Sequence, residues 1–120
     1  MRLYGYWRSS CTWRVRIALH HKGIRFETVP VHLVRDGGEQ HGMGYRSLNP
    51  MSQVPVLETR DGRSLSQSLP IIEYLEELEP DPSLLPGGIW ERARTRQLSE
   101  VVNAGIQPLQ NLAVLLLQAR

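Results

Sequence analysis

The sequence predicts an α/β domain, ordered β-α-β then β-β-α around one mixed four-stranded sheet, followed by the start of an all-helical domain. Three observations predict it. Short apolar or alternating runs of strand length recur at residues 2–6, 25–31, 53–58 and 64–66. Two runs with helical spacing stand between and after them, one opened by Ser9-Ser10 and one by Ser68. A stretch dense in Pro and Gly, residues 80–88, then precedes a long helical pattern that starts at Trp90.

Each element has its local cause. Leu3-Tyr4-Gly5-Tyr6 is the apolar part of the first strand. Ser9 or Ser10 caps the first helix, because a short hydroxyl side chain accepts from an unpaired N–H of the first turn. Val15, Ala18 and Leu19 supply its buried stripe, and Gly23 its stop. Residues 25–31 alternate and are rich in β-branched side chains. Pro30 has no N–H for a ladder, which places this strand at an edge or at its end there. Residues 35–48 are polar and glycine-rich and read as a loop with at most a short helix.

Residues 53–58 form a strand entered through Pro55. Arg60-Asp61-Gly62-Arg63 is a hairpin turn, and 64–66 return from it. Ser68 caps a second helix with Leu69, Ile71, Ile72, Leu75 and Leu78 on its apolar side, ending before Pro80. This is the order of a thioredoxin-like domain. It assigns residues 1–79 to that domain, 80–88 to a linker and 89–120 to the first helix of an incomplete all-helical domain, with Pro108 as a kink or boundary.

Composition narrows the function. With 120 residues the chain holds one domain and part of another, and 41% hydrophobic and 22% charged residues are ordinary for a globular protein. Positive charge is nearly all arginine, dispersed among Asp and Glu for a net +2. No basic block interleaved with aromatics exists, which excludes nucleic acid as a partner. One cysteine excludes an internal disulfide and fits a reducing, cytoplasmic setting. No signal peptide and no apolar run of spanning length is expected, so no membrane partner is either.

The chemistry concentrates at Ser9-Ser10-Cys11, where a strand hands over to a helix. The first helical N–H groups are unpaired there and the helix dipole is positive, a setting that stabilises anions and thiolates. Either a hydroxyl holds the thiolate of a bound ligand or Cys11 is itself the nucleophile. A Cys-x-x-Cys relay is excluded, since Arg14 stands at its second position. Val54-Pro55 is a second candidate. If that bond is cis, the N–H and C=O of Val54 face outward and can pair with a bound peptide as an added strand would. Gln67-Ser68 is the third, where the start of a helix can hold a carboxylate. A thiolate site, a backbone-pairing site and a carboxylate site together have the shape of a receptor for a small acidic thiol peptide.

Four motifs carry a resemblance: Ser9 to Leu19 (Ser-Ser-Cys-x-Trp-Arg-Val-Arg-Ile-Ala-Leu), Leu48-Asn49-Pro50-Met51-x-Gln53-Val54-Pro55, Gln67-Ser68-Leu69-x-Ile71-Ile72-Glu73-Tyr74-Leu75-Glu76-Glu77, and Gly105-Ile106-Gln107-Pro108-Leu109-Gln110-Asn111-Leu112. Over the whole chain they resemble zeta-class glutathione transferases, the class that includes maleylacetoacetate isomerases. The resemblance implies a homodimer that uses glutathione to isomerise maleylacetoacetate to fumarylacetoacetate in tyrosine and phenylalanine breakdown, with transferase activity on small α-halo acids. It implies that Ser9 stabilises the thiolate, with Ser10 and Cys11 beside it. Val54 would pair with the cysteinyl backbone of glutathione, and Gln67 and Ser68 would hold its γ-glutamyl carboxylate. Gln40, Gln107 and Asn111 complete the implied binding set, and Arg8 and Arg14 are assigned to carboxylates of the ligand and of a small acid substrate.

The class has a longer helical domain than residues 89–120 supply. The chain is therefore expected to be a piece that keeps the glutathione-binding half and lacks most of the second substrate's pocket. Two other functions compete with the isomerase. One is a non-catalytic binding or dimerisation module. The other is a single-cysteine, glutaredoxin-like reductase using Cys11.

Overall fold

A computed structural model describes residues 1–119. They divide into two compact units, residues 1–82 and residues from 83 onward. The first contains β1 (Arg2–Gly5), α1 (Ser10–His21), β2 (Glu27–Pro30), α2 (Met43–Leu48), β3 (Val56–Glu58), β4 (Ser64–Ser66) and α3 (Ser68–Leu78). Its sheet has the order β2-β1-β3-β4. β1 runs parallel to β2 and antiparallel to β3, and β4 is antiparallel to β3. This is the mixed four-stranded sheet and the β-α-β, β-β-α order expected from the sequence. β2 is an edge strand, so the missing N–H of Pro30 leaves no gap in an interior ladder.

Side chains alternate across the sheet and build a core on each face. Leu3 and Leu57 are paired in register and fully buried on the face that carries α1 and α3. Val15, Leu19, Ile71 and Leu75 are fully buried with them. Gly5 allows α1 to come close, since a Cβ there would lie 2.3 Å from Thr12 Cγ2. The other face holds Val31, Tyr45 and Val56 under α2, with Tyr4 set edge-on to Tyr45. α1 ends at Lys22 and Gly23, the latter at φ 64, as expected of a glycine stop.

Lys22 is buried. Its ammonium meets Glu76 at 2.6 Å and donates to the carbonyls of Glu79 (2.6 Å) and Pro82 (3.1 Å). A buried ammonium needs such a full set of acceptors, and this one ties α1 to α3 and to the chain leaving it.

Several local expectations are corrected. Residues 35–48 hold more helix than a loop: two 3-10 turns, Arg35–Gly37 and Glu39–His41, lead into α2. Ser68 does not cap α3. Gln67 occupies the cap position at φ 71, its carbonyl takes the Ile71 N–H at 3.1 Å, and Ser68 is the first helical residue.

The second unit contains α4 (Ile89–Glu100) and α5 (Leu112–Gln118). Residues 89–119 are not one helix. α4 widens into a π-helical segment, Val101–Ile106, then tightens into a 3-10 turn, Gln107–Gln110. Pro108 lies in that turn and has no N–H to continue the α ladder, so the boundary expected there is present. Asn111 lies between the pieces as N-cap of α5, its side chain accepting from Ala113 N–H at 3.1 Å. Gln107 and Asn111 are therefore in the turn and the break, not on a continuous first helix.

Candidate functional site

The strand register decides which expected residues meet. Tyr4 pairs with Val56, and Val56 pairs with Ser66. The end of β1, the start of β3 and the end of β4 therefore share one end of the sheet. The segment carrying Ser9, Ser10 and Cys11 follows β1, Val54-Pro55 precedes β3, and Gln67-Ser68 follows β4. Residues from three separate segments of the sequence are thus delivered to one rim.

The β1–α1 turn is rigidly made. Ser9 N–H donates to Tyr6 C=O (3.0 Å), Tyr6 N–H to Thr12 Oγ1 (3.4 Å), and Trp13 Nε1–H to Trp7 C=O (2.8 Å). Ser9 is the N-cap of α1. Its Oγ accepts from Thr12 N–H at 3.2 Å, which leaves its own hydroxyl proton available. Of the two serines the sequence left open, Ser9 caps; Ser10 is the exposed first helical residue. Cys11 is a half-buried free thiol one residue on. Arg8 is exposed, its guanidinium carbon 5.6 Å from the Trp7 ring centre, and Arg14 is half-buried on α1.

The Val54–Pro55 bond is cis, one of the two alternatives the sequence allowed. Val54 lies outside the β3 ladder, and its N–H and C=O have no hydrogen-bond partner among the described residues. The residues that hold it in place were not singled out from the sequence. Tyr45 OH and Asn49 Nδ2–H both donate to the Gln53 carbonyl, at 2.7 and 2.8 Å. Asn49 Oδ1 also accepts from Met51 N–H at 3.1 Å. Burial raises the Tyr45 phenol above its ordinary range, so it stays a donor. The signal was there in Asn49-Pro50, an Asx-turn pair just before a strand.

Gln67 is exposed and its Nε2–H donates to Gln53 Oε1 at 3.3 Å, which joins the third group to the second. Ser68 is buried. Gln40 is buried in the second 3-10 turn; its Nε2–H donates to Leu33 C=O at 3.3 Å, while its Oε1 has no partner among the described residues. Gln107 and Asn111 belong to the second unit.

Open backbone groups at Val54, a free hydroxyl proton at Ser9 and an unpartnered buried carbonyl oxygen at Gln40 are what a peptide ligand with a thiol would require. No cluster of His, Cys, Asp or Glu among the described residues could hold a metal ion, and no described helix is long and apolar enough to cross a membrane. Two concavities lie on this unit, the second of them against the β1–α1 turn. One of about 450 Å³ is lined by Tyr4, Tyr45 and Glu58, and one of about 340 Å³ by Trp7, Arg16, His32 and Arg35.

The fold is that of a transferase N-terminal domain: the family "Glutathione S-transferase, N-terminal domain" matches residues 8–78, and the chain belongs to it. The resemblance to the zeta class holds as well. The chain is 56% identical over 113 residues to maleylacetoacetate isomerase of Rattus norvegicus, covering 94% of this chain and 52% of the rat protein. It matches a crystal structure of maleylacetoacetate isomerase from Methylobacterium extorquens AM1, with malonate and GSH bound, at TM-score 0.89 and 44% identity, over 95% of this chain and 52% of that one. A holo maleyl pyruvate isomerase, described as a bacterial zeta-class glutathione S-transferase, matches at TM-score 0.89 and 41% identity, over 96% of this chain and 53% of that one. The chain spans about half the length of the curated relatives it matches.

Proposed function

We propose that this chain is the glutathione-binding part of a maleylacetoacetate isomerase of the zeta class. The observation that carries the reading is the convergence of Ser9, Val54 and Gln67-Ser68 on one end of the sheet. Relatives of that name at 56% and 53% identity, and a structural neighbour with GSH and malonate bound, support it.

In this reading Ser9 Oγ–H donates to the ligand's sulfur and, with the dipole of α1, favours its ionised form. The free N–H and C=O of Val54 pair with the cysteinyl backbone. Gln67 and Ser68, with the first N–H groups of α3, hold the γ-glutamyl carboxylate. Gln40 Oε1 accepts from a ligand N–H. Bound glutathione supplies a thiolate that adds reversibly to the substrate's cis double bond, so that the bond turns and the trans alkene is restored when the thiolate leaves. Ser10 and Cys11 border the sulfur, and Arg8 and Arg14 face the acid substrate's carboxylates as forked donors. Gln107 and Asn111, in the second unit, are glutathione-binding residues of this reading on the family resemblance alone.

Residues 1–79 form the glutathione domain, 80–88 the linker and 89–120 the start of the helical domain. The working enzyme is a cytoplasmic homodimer acting in tyrosine and phenylalanine breakdown, with transferase activity on small α-halo acids. The lone free cysteine supports a reducing compartment.

Calorimetric titration with glutathione tests the reading. Uptake is expected for the wild-type chain, with affinity about tenfold weaker in Ser9→Ala, the loss of one charge-assisted hydrogen bond. A chain that takes up no glutathione, or a Ser9→Ala variant equal to wild type, refutes it. Activity that vanishes in Cys11→Ala and survives in Ser9→Ala would point to the glutaredoxin-like alternative.

A further inference from the structure

We infer that the cavity of about 450 Å³ between α2 and the sheet is a binding site for an amphipathic amine, an ammonium group on an aromatic or branched apolar body. It does not depend on the function proposed above.

Register sets its place. Arg2 pairs with Glu58 at one end of the β1–β3 ladder, and Tyr4 pairs with Val56 at the other, the end that carries the rim. Arg2 and Glu58 line the cavity, so it reaches the end of the sheet opposite Ser9 and Gln67. Its face is the one under α2, where Tyr45 and Val56 pack. The sheet therefore stands between it and α1 and α3.

Its volume is that of a ligand pocket, whereas voids in a close-packed interior rarely exceed a water molecule. Gly44 keeps it open. This glycine lies within α2 at the cavity wall, and a Cβ built there would meet nothing within 4 Å. It has no positive φ, and no neighbour crowds it. Glycine is a poor helix residue, so neither backbone nor packing accounts for it here.

Val29, Val31 and Leu48 give the cavity aliphatic wall, and the Tyr4 and Tyr45 rings add aromatic surface. Both phenols are spent elsewhere. Tyr4 OH donates to Glu58 Oε2 at 3.1 Å, and Tyr45 OH to the Gln53 carbonyl at 2.7 Å. They offer a ligand ring surface rather than donors, which suits a hydrocarbon body.

Charge selects the head group. Arg2 is engaged by Glu58 Oε1, through Nε at 3.1 Å and Nη2 at 2.5 Å. Glu39 is the other carboxylate of the lining. Its Oε2 accepts from His32 N–H at 2.6 Å, and its Oε1 has no partner among the described residues. Glu27 and the Met1 amino group add one charge of each sign nearby. One carboxylate remains in excess, with an acceptor oxygen unused. An ammonium answers that oxygen, and an anionic head group would be repelled.

Titration of the full chain with phenethylamine tests this. The methyl resonances of Val29, Val31 and Leu48 are expected to shift together and saturate. Phenylacetate, an aromatic probe of opposite charge, should leave them unmoved. Gly44→Leu fills the open space with a better helix former and should weaken amine binding about tenfold or more. Glu39→Gln keeps an acceptor for His32 N–H but loses the charge, and should weaken it about tenfold. The amine response should be unchanged in Ser9→Ala, which separates this site from the rim. Should Gly44→Leu fail to fold by circular dichroism, the wild-type methyl shifts and Glu39→Gln decide. Methyl signals that do not move, equal shifts with phenylacetate, amine curves indifferent to both variants, or a response lost in Ser9→Ala would overturn the assignment.

Discussion

Ser9 sits where two demands on one hydroxyl agree. As N-cap it accepts from Thr12 N–H, and that use of the oxygen's lone pair leaves the proton free to donate toward a ligand. Asp61 shows a different residue-scale effect, in the hairpin turn. The Arg63 guanidinium at 2.6 Å, followed by the Thr59 hydroxyl, lowers its carboxyl from 3.8 to about 2. A carboxyl depressed in the fold contributes stability above its ordinary value and loses it as pH falls through the folded one. The acid limb of stability between those two values should flatten in Asp61→Asn, and a carboxyl NMR titration should place the Asp61 midpoint near 2. A midpoint at the ordinary value would contradict the geometry. Tyr45 acts at one remove, through the Gln53 carbonyl. Tyr45→Phe deletes one of two donors to that oxygen and should cost about 1 kcal/mol in denaturant unfolding. It should also weaken glutathione uptake, because Val54 is the next residue; unchanged uptake would show that Asn49 suffices.

At the scale of elements, the C-terminal ends of α1 and α3 are joined by a buried ion pair. Lys22 has no exposed side-chain surface, and Glu76 very little. Lys22→Ala leaves Glu76 buried without its cation and should cost about 3–5 kcal/mol. A double replacement, Lys22→Met with Glu76→Leu, should recover most of that loss. A single variant no worse than the double would show that the pair is not electrostatically coupled. The same elements explain why Gly5 and Thr12 belong together: the helix lies so near β1 that a side chain at position 5 would collide with it.

At the scale of the whole chain, burial is uneven. The core residues Leu3, Val15, Leu19, Leu57, Ile71 and Leu75 all lie in the first unit. None of the residues from α4 to α5 is buried, and Val101, Val102, Leu109 and Leu117 are exposed. Elements with few buried apolar contacts open first. Hydrogen exchange should therefore be fast across α4 and α5 and slow in β1, α1, β3 and α3. Equal protection in both units would refute this.

Local signals were enough for much of the fold. The runs at 2–6 and 53–58, a cap at Ser9 or Ser10, the Gly23 stop and the Asp61-Gly62 turn each depend on neighbours a few residues away, and such signals survive in a single sequence. The family resemblance was legible because its four motifs stand as contiguous strings. Four other features needed the tertiary structure. Gln67 takes the cap position at positive φ in place of Ser68, a choice made by the turn out of β4. Val54 keeps its backbone groups free because β3 begins only at Val56. Tyr45 and Asn49 fix Gln53 through contacts across the α2–β3 connection. Arg16 reads as one more arginine on a helix until packing buries its Nε without an acceptor. Propensity and caps act within one turn of chain and are written in residue types. Burial and the satisfaction of polar atoms depend on what distant segments bring, and only the folded chain decides them.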